Sequence, residues 1–348
     1  MNAAVSTYLK WDALEHAFGA PVLHAGFKQQ LEDFCVEEQL GFEPDGAGEH
    51  LLLAIEKTGL TTFDAQEILA RHFNVPLRDT AFAGMKDKQG VTRQWFSVPA
   101  GKGNETGVNL QHPQLRVLRS GRNSRKLRRG SHKGNRFRIV LRAPAGDNLE
   151  VLTRVSLLAT HGVPNYFGVQ RFGRNQNNVP AALAWFRGES APDRQQRSLL
   201  LSAVRSYLFN VNLSRRVREG TWNAWIAGDV MALSGSASTF ASNKATPEDL
   251  RRRLAEFDIH ATGPLWGRGL PLVTDEAQQQ ECVLAEHHPE LCAGLIAHGL
   301  EQERRPLRAQ VENLQANFTG DGLILEFSLT RGAYATSVLR ELVHLEDV

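Results

Sequence analysis

The sequence predicts an α+β protein in which one domain is built from both ends of the chain and a second, largely helical domain is inserted in its middle. Three observations carry this. Strand-type segments dominate up to about residue 148, helical spacing dominates after it, and strand character returns at 323–329. With 348 residues the chain is also long enough to bury two separate cores.

Residues 33–39 (DFCVEEQ), 50–57 (HLLLAIEK), 80–85 (TAFAGM), 91–98 (VTRQWFSV) and 135–142 (NRFRIVLR) read as strands. Between the second and third, 61–73 (TTFDAQEILARHF) opens on a threonine and sets Ala65, Ile68, Leu69 and Phe73 at helical spacing. Pro76 discourages its continuation. The Gly- and Pro-rich stretch 99–113 reads as a loop. Further on, 193–219 is the clearest helix, followed by 247–257, with Thr246 as N-cap, and by 275–286. The strand 323–329 (LILEFSL) and a closing helix at 335–344 (ATSVLRELVH) complete the chain. No internal repeat is visible.

A content of 42% hydrophobic and 22% charged residues is that of a globular domain, not of a disordered or fibrous chain. No apolar run approaches membrane-spanning length, and the first residues lack a secretory apolar core. Cys35, Cys282 and Cys292 are far apart and form no CxxC pair, which argues against a disulfide framework and a cysteine zinc site. The expectation is a cytoplasmic protein without a metal.

The net charge is only +2, but residues 116–142 hold eleven of the 40 lysines and arginines. An even spread would place about three there. Such a block, free of acids, fits a polyanion, because each cation set on a phosphate releases counterions. Within it, alternation puts Phe137, Ile139 and Leu141 on one side of a strand and Arg136, Arg138 and Arg142 on the other, an apolar back with an arginine front.

For chemistry, GxxxxGK[ST], HExxH and GxSxG are all absent. His287–His288 has no partner at ligand spacing, and Asp45 sits in an acidic turn with too few oxygen ligands for calcium. What stands out is Asp87 in FAGMKDKQGVTRQ, a lone acid between Lys86 and Lys88 at the tip of an expected hairpin. It reads either as an ordinary turn residue or as a carboxylate that flanking ammonium groups hold in its charged form for work on a substrate. A carboxylate hydrolase would need a second acid, and none occurs between 80 and 104. A non-catalytic RNA-binding protein would need only the basic block.

The string AGMKDKQGVTRQ resembles the signature of the TruD family of tRNA pseudouridine synthases, Gly-x-Lys-Asp-x-x-x-x-Thr-x-Gln, through Gly84, Lys86, Asp87, Thr92 and Gln94. Four further segments resemble the family in the same order: 31–50, 125–142, 162–178 (GVPNYFGVQRFGRNQNN) and 331–342. The resemblance implies a pseudouridine-synthase-like mixed sheet with flanking helices, formed by 1–161 and 306–348, and an inserted TruD-type domain at 162–305. It implies isomerisation of uridine-13 in tRNA, or of a different RNA site, with no cofactor. Asp87 would be the catalytic carboxylate and Lys86 its partner. Phe34, Asn135, Phe137 and Tyr334 would hold the uridine, Tyr334 standing where relatives commonly carry phenylalanine. Arg125, Lys126, Arg128, Arg129, Lys133 and Arg136 would contact the tRNA backbone, opposite a wall formed by the inserted domain.

Overall fold

A computed structural model describes residues 8–101 and 109–345; part of the expected loop 99–113 lies outside the described residues. The first part of the chain forms strands β1 (Leu23–Phe27), β2 (Phe34–Gln39), β3 (His50–Thr58), β4 (Ala81–Phe82), β5 (Val91–Pro99), β6 (Leu115–Asn123) and β7 (Gly134–Gly146). The middle adds β8 (Val163–Pro164), β9 (Val230–Leu233), β10 (Thr239–Ala241), β11 (Ile259–Leu265), β12 (Glu303–Pro306) and β13 (Arg308–Ala309). The last part adds β14 (Glu312–Thr319), β15 (Gly322–Thr330) and β16 (Val343–Leu345). The helices are α1 (Thr62–His72), α2 (Asn148–His161), α3 (Asn178–Phe186), α4 (Arg194–Arg218), α5 (Pro247–Ala255), α6 (Asp275–His287), α7 (Pro289–Ala297) and α8 (Ala335–Leu339).

The larger sheet runs β14-β15-β7-β2-β5-β3-β6, with β1 beside the far end of β7 and β4 beside β5. It is mixed, because β2 pairs with β5 and β1 with β16 in parallel while the other ladders are antiparallel. Both ends of the chain therefore build one α+β unit.

Registers assign the faces. Val36 is opposite Thr92, Lys57 opposite Thr92, Glu38 opposite Asn135, and Phe137 opposite Phe327. All point to the side covered by the helices. On that side two apolar cores form. One joins Phe34, Val36, Phe137, Ile139 and Phe327 to Val151, Val155 and Leu158 of α2. The other joins Leu51, Leu53, Ile55 and Phe96 to Ala65 and Leu69 of α1. Between the cores runs a polar seam of Glu38, Lys57, Thr92, Gln94 and Asn135, the first four of them buried. The opposite side carries charge: Glu37, Arg93 and Arg136 alternate with the seam residues.

α1 starts where the threonine signalled, with Thr61 and Asp64 exchanging capping bonds. α4 starts on the equivalent box between Asp193 and Gln196, and α5 on Thr246. The expected strand 80–85 shrinks to Ala81–Phe82, since the carbonyls and amides of 84–87 bond to side chains instead of a ladder. The closing helix stops at Leu339, and the chain continues as β16 alongside β1. β6 was hidden by its arginines, which suit the edge of a sheet, where charge blocks further pairing.

The middle segment forms a second sheet, β10-β9-β11-β12, around the long α4. Its core includes Tyr166, Leu208, Phe209, Leu213, Ile259 and Leu295. Trp11 and Leu14 are buried in this second core, and the same segment is tied to the end of the chain by Arg340, which donates to the Leu14 carbonyl at 2.8 Å. β8 and β13 pair where the chain passes between the units. Among the described residues no helix is long and apolar enough to cross a membrane.

Candidate active site around Asp87

The segment 83–90 leaves the sheet and lies over the polar seam, tied by side chains at several backbone groups. Thr62 Oγ1 accepts the Lys86 N–H at 2.9 Å. Gln94 Nε2 donates to the Gly84 carbonyl at 3.1 Å. Lys57 Nζ donates to the Asp87 carbonyl at 2.8 Å and to that of Leu60 at 2.6 Å. The segment is thus a clamped loop and not a tight hairpin tip. Gly90 closes it at φ +153°, where a Cβ would stand 2.5 Å from the Phe34 carbonyl.

This clamp explains the residue types of the motif. Thr92 and Gln94 are buried, and the Lys86 side chain is only 6% exposed. Asp87, at 36%, is the one motif side chain that reaches solvent. Gly84 is a glycine because a Cβ there would come within 2.7 Å of both Glu38 Oε2 and Lys86 Nζ.

The expected pairing of Lys86 with Asp87 is corrected. Lys86 Nζ turns inward to Glu38 Oε2 at 2.7 Å, and Glu38 also accepts the Trp95 N–H at 3.0 Å. Asp87 Oδ2 instead accepts from Lys28 Nζ at 3.1 Å. Lys28 sits 4.0 Å over the ring of Phe34, a cation–π contact, and its backbone is left-handed at φ +54°. That conformation costs roughly 1–3 kcal/mol in a non-glycine residue. The Lys86–Glu38 pair is buried and supports the fold, whereas the partly exposed Lys28–Asp87 pair contributes little stability and reaches solvent.

Phe34 borders the site through Lys28, with Phe27 edge-on at 5.8 Å. Asn135, across the ladder from Glu38, has a buried Oδ1 with no hydrogen-bond partner. An unpaired buried acceptor is costly, and a ligand donor would relieve it. Phe137 lies deeper, stacked on Phe327 at 5.2 Å, so its ring is mainly core. Tyr334 stands at the junction with the middle unit, 5.9 Å from the Phe167 ring, and its hydroxyl accepts from Arg171 at 2.9 Å. Tyr334→Phe should keep the ring face and leave the reaction rate within about twofold, while lowering stability by about 1 kcal/mol for one lost bond. Kinetics and a thermal melt of the variant check both.

The basic residues divide. The loop carrying Arg125, Lys126, Arg128, Arg129 and Lys133 borders the clamped loop, since the Gly130 N–H donates to the Ala83 carbonyl at 2.7 Å. Arg125, Arg128, Arg129 and Lys133 are exposed, and the Arg129 guanidinium covers the Phe82 ring at 3.7 Å. Lys126 is half-buried and donates to the Arg78 carbonyl. Arg136 lies on the sheet face opposite Asp87, and Arg142 pairs with buried Asp33 at 2.7 Å. The arginine front of that strand therefore faces away from Asp87. Among the described residues no group of three or more His, Cys, Asp or Glu is placed to hold a metal ion.

Sequence reasoning missed Lys28, Glu38, Lys57 and Thr62. For Lys57 and Glu38 a signal existed: each is a charged residue at an apolar-phase position of a strand, Lys57 after Leu51, Leu53 and Ile55, and Glu38 after Phe34 and Val36. Lys28 lies in a connection and offered none.

A mixed sheet carries a clamped aspartate, a cation partner and a polar seam, and comparison with known proteins supplies the class and the family. The family model described as "tRNA pseudouridine synthase D (TruD)" matches residues 16–182 and 185–342. A tRNA pseudouridine synthase D of Methylococcus capsulatus is 44% identical over 97% of this chain and 96% of its own. That of Aeromonas salmonicida is 41% identical over 97% and 95%. The solved structure of a putative tRNA pseudouridine synthase D from Methanosarcina mazei shares the fold, with a TM-score of 0.70, 22% identity and coverage of 94% and 95%. The chain belongs to the tRNA pseudouridine synthase D (TruD) family.

Proposed function

We propose that this enzyme converts uridine-13 of tRNA to pseudouridine in the cytoplasm, with Asp87 as the carboxylate that acts on the ribose. The observation that carries the reading is the exposure of Asp87 alone among the matched motif side chains, on a loop whose backbone is tied at Gly84, Lys86 and Asp87. Chemistry on a base requires the nucleotide to leave its stack, and Phe34 offers an aromatic wall for it while Asn135 Oδ1 offers an unpaired acceptor. Lys28 orients Asp87 through its ammonium, and Lys86 supports the loop from below through Glu38.

The reaction breaks the bond from N1 to C1′, turns the uracil in place and joins C5 to C1′; the C5 proton leaves and N1 gains one. Asp87 attacks C1′ as a nucleophile or removes the 2′ proton to form a glycal. A substrate deuterated at C2′ separates these, since a large primary isotope effect marks the second. We further propose that 1–161 and 306–348 form the catalytic unit and 162–305 the inserted one. Arg125, Arg128, Arg129 and Lys133 would meet tRNA phosphates, contacts that position the substrate without reading its sequence.

The test is carbodiimide labelling and primer extension on tRNA from cells lacking the gene. The stop at position 13 should vanish and return only with an intact Asp87. Loss of a stop at another position, with position 13 unchanged, would move the specificity to that site. Release of free uracil would indicate hydrolysis and overturn the reading.

A further inference from the structure

We propose that Lys57 is a positioning residue for the reaction, which with Thr62 and Gln94 sets the direction of the Asp87 side chain from beneath the loop. This rests on the reading of Asp87 as the catalytic carboxylate. Lys57 is fully buried on β3, in phase with Leu51, Leu53 and Ile55. An ammonium there costs several kcal/mol of desolvation that a methionine of similar length would not. What the ammonium adds is two hydrogen bonds, to the Leu60 carbonyl and to the Asp87 carbonyl at 2.8 Å, and a positive charge under the loop.

The peptide after Asp87 is thereby held through its carbonyl. The residue before it is held through the Lys86 N–H on Thr62 Oγ1, which in turn donates to Gln94 Oε1 at 3.1 Å. Gln94 holds the Gly84 carbonyl. With both sides of Asp87 pinned, its Cα–Cβ direction is set by the sheet and not by the loop. A misplacement of about 1 Å at a reacting group can cost about 100-fold in rate.

The charged groups facing Lys57 are Asp87 and Lys86 on the loop and Asp64 on α1. Burial depresses Lys57 to about 8, with Asp87 opposing that shift and Lys86 adding to it. Its charge is thus lost as pH rises through about 8. Stability responds with the opposite sign. The unfolded chain, titrating at roughly 10.4, binds the extra proton in the interval between, so this group's contribution to stability increases with pH there.

The experiment is single-turnover release of tritium from tRNA carrying 5-tritiated uridine, from pH 6.5 to 9, with tRNA affinity by filter binding. Lys57→Met should lower the rate by about 100-fold across the range, with tRNA affinity within about threefold of the wild type. Thr62→Val should lower the rate by about tenfold. A Lys57→Met rate within about threefold of wild type overturns the proposal, as does a slow variant whose tRNA affinity falls in parallel with its rate. Should Lys57→Met not fold, a wild-type rate in Thr62→Val overturns it and a slowed one supports it. Asp87→Asn runs alongside: activity in that variant removes the parent reading, whereas an inactive Asp87→Asn with a fully active Lys57→Met removes only the positioning role.

Discussion

Asp87→Asn is expected to reduce pseudouridine formation by roughly 10⁴-fold or more while the protein stays folded and binds tRNA. Asparagine has nearly the same volume but neither attacks C1′ nor removes a proton. The change should cost well under about 1 kcal/mol of stability, because the Asp87 carboxylate is partly exposed and its pair with Lys28 is screened by solvent. The loop itself should not move, since its ties run to backbone groups at Gly84, Lys86 and Asp87. Affinity for tRNA should change by less than about threefold, because phosphate contacts dominate it. Single-turnover tritium release, a thermal melt and filter binding measure the three quantities. A variant that turns over like the wild type would return Asp87 to the status of a turn residue.

Glu38→Ala should produce the largest loss of stability, about 3–5 kcal/mol, because it leaves the Lys86 ammonium buried without a counter-charge. It also orphans the Trp95 N–H. In the melt this corresponds to a fall on the order of 10 °C. Lys86→Met should destabilise similarly by stranding the Glu38 carboxylate, which is fully buried. The double variant Glu38→Leu/Lys86→Met should recover most of the loss, since apolar groups of similar volume remove both desolvation costs together. Single variants that melt within about 2 °C of the wild type would show that the pair is not the support described. The same cycle separates two roles for Lys86. As a partner of Asp87 its removal would act on rate alone, whereas as a pillar under the loop it acts on stability first.

Much of the fold was legible because it rests on local signals. The helix after Thr61 and the helix after Asp193 carry capping boxes, and the strands His50–Thr58 and Val91–Pro99 carry runs of apolar residues long enough to recognise. The elements that were missed lack such signals. Leu115–Asn123 is an edge strand rich in arginine, and Glu312–Thr319 is another edge with five of its eight residues exposed. Val343–Leu345 is a strand only because Leu23–Phe27, some 320 residues earlier in the chain, lies beside it.

By itself, then, the sequence determined the two-unit α+β plan, the loop that bears Asp87 and the family, because composition, periodicity and ordered motifs are written along the chain. The tertiary structure alone decided the partners of the charges. Lys86 is adjacent to Asp87 in sequence yet pairs with Glu38, while Lys28, from a connection nearly sixty residues away, reaches Asp87. It also decided on which face of the sheet Asp87 lies, which puts Arg136 on the opposite side from it. The physical reason is that neighbours in a chain share a backbone but not a direction. Where an ammonium goes is set by which carboxylates and carbonyls the folded sheet leaves within about 3 Å of it.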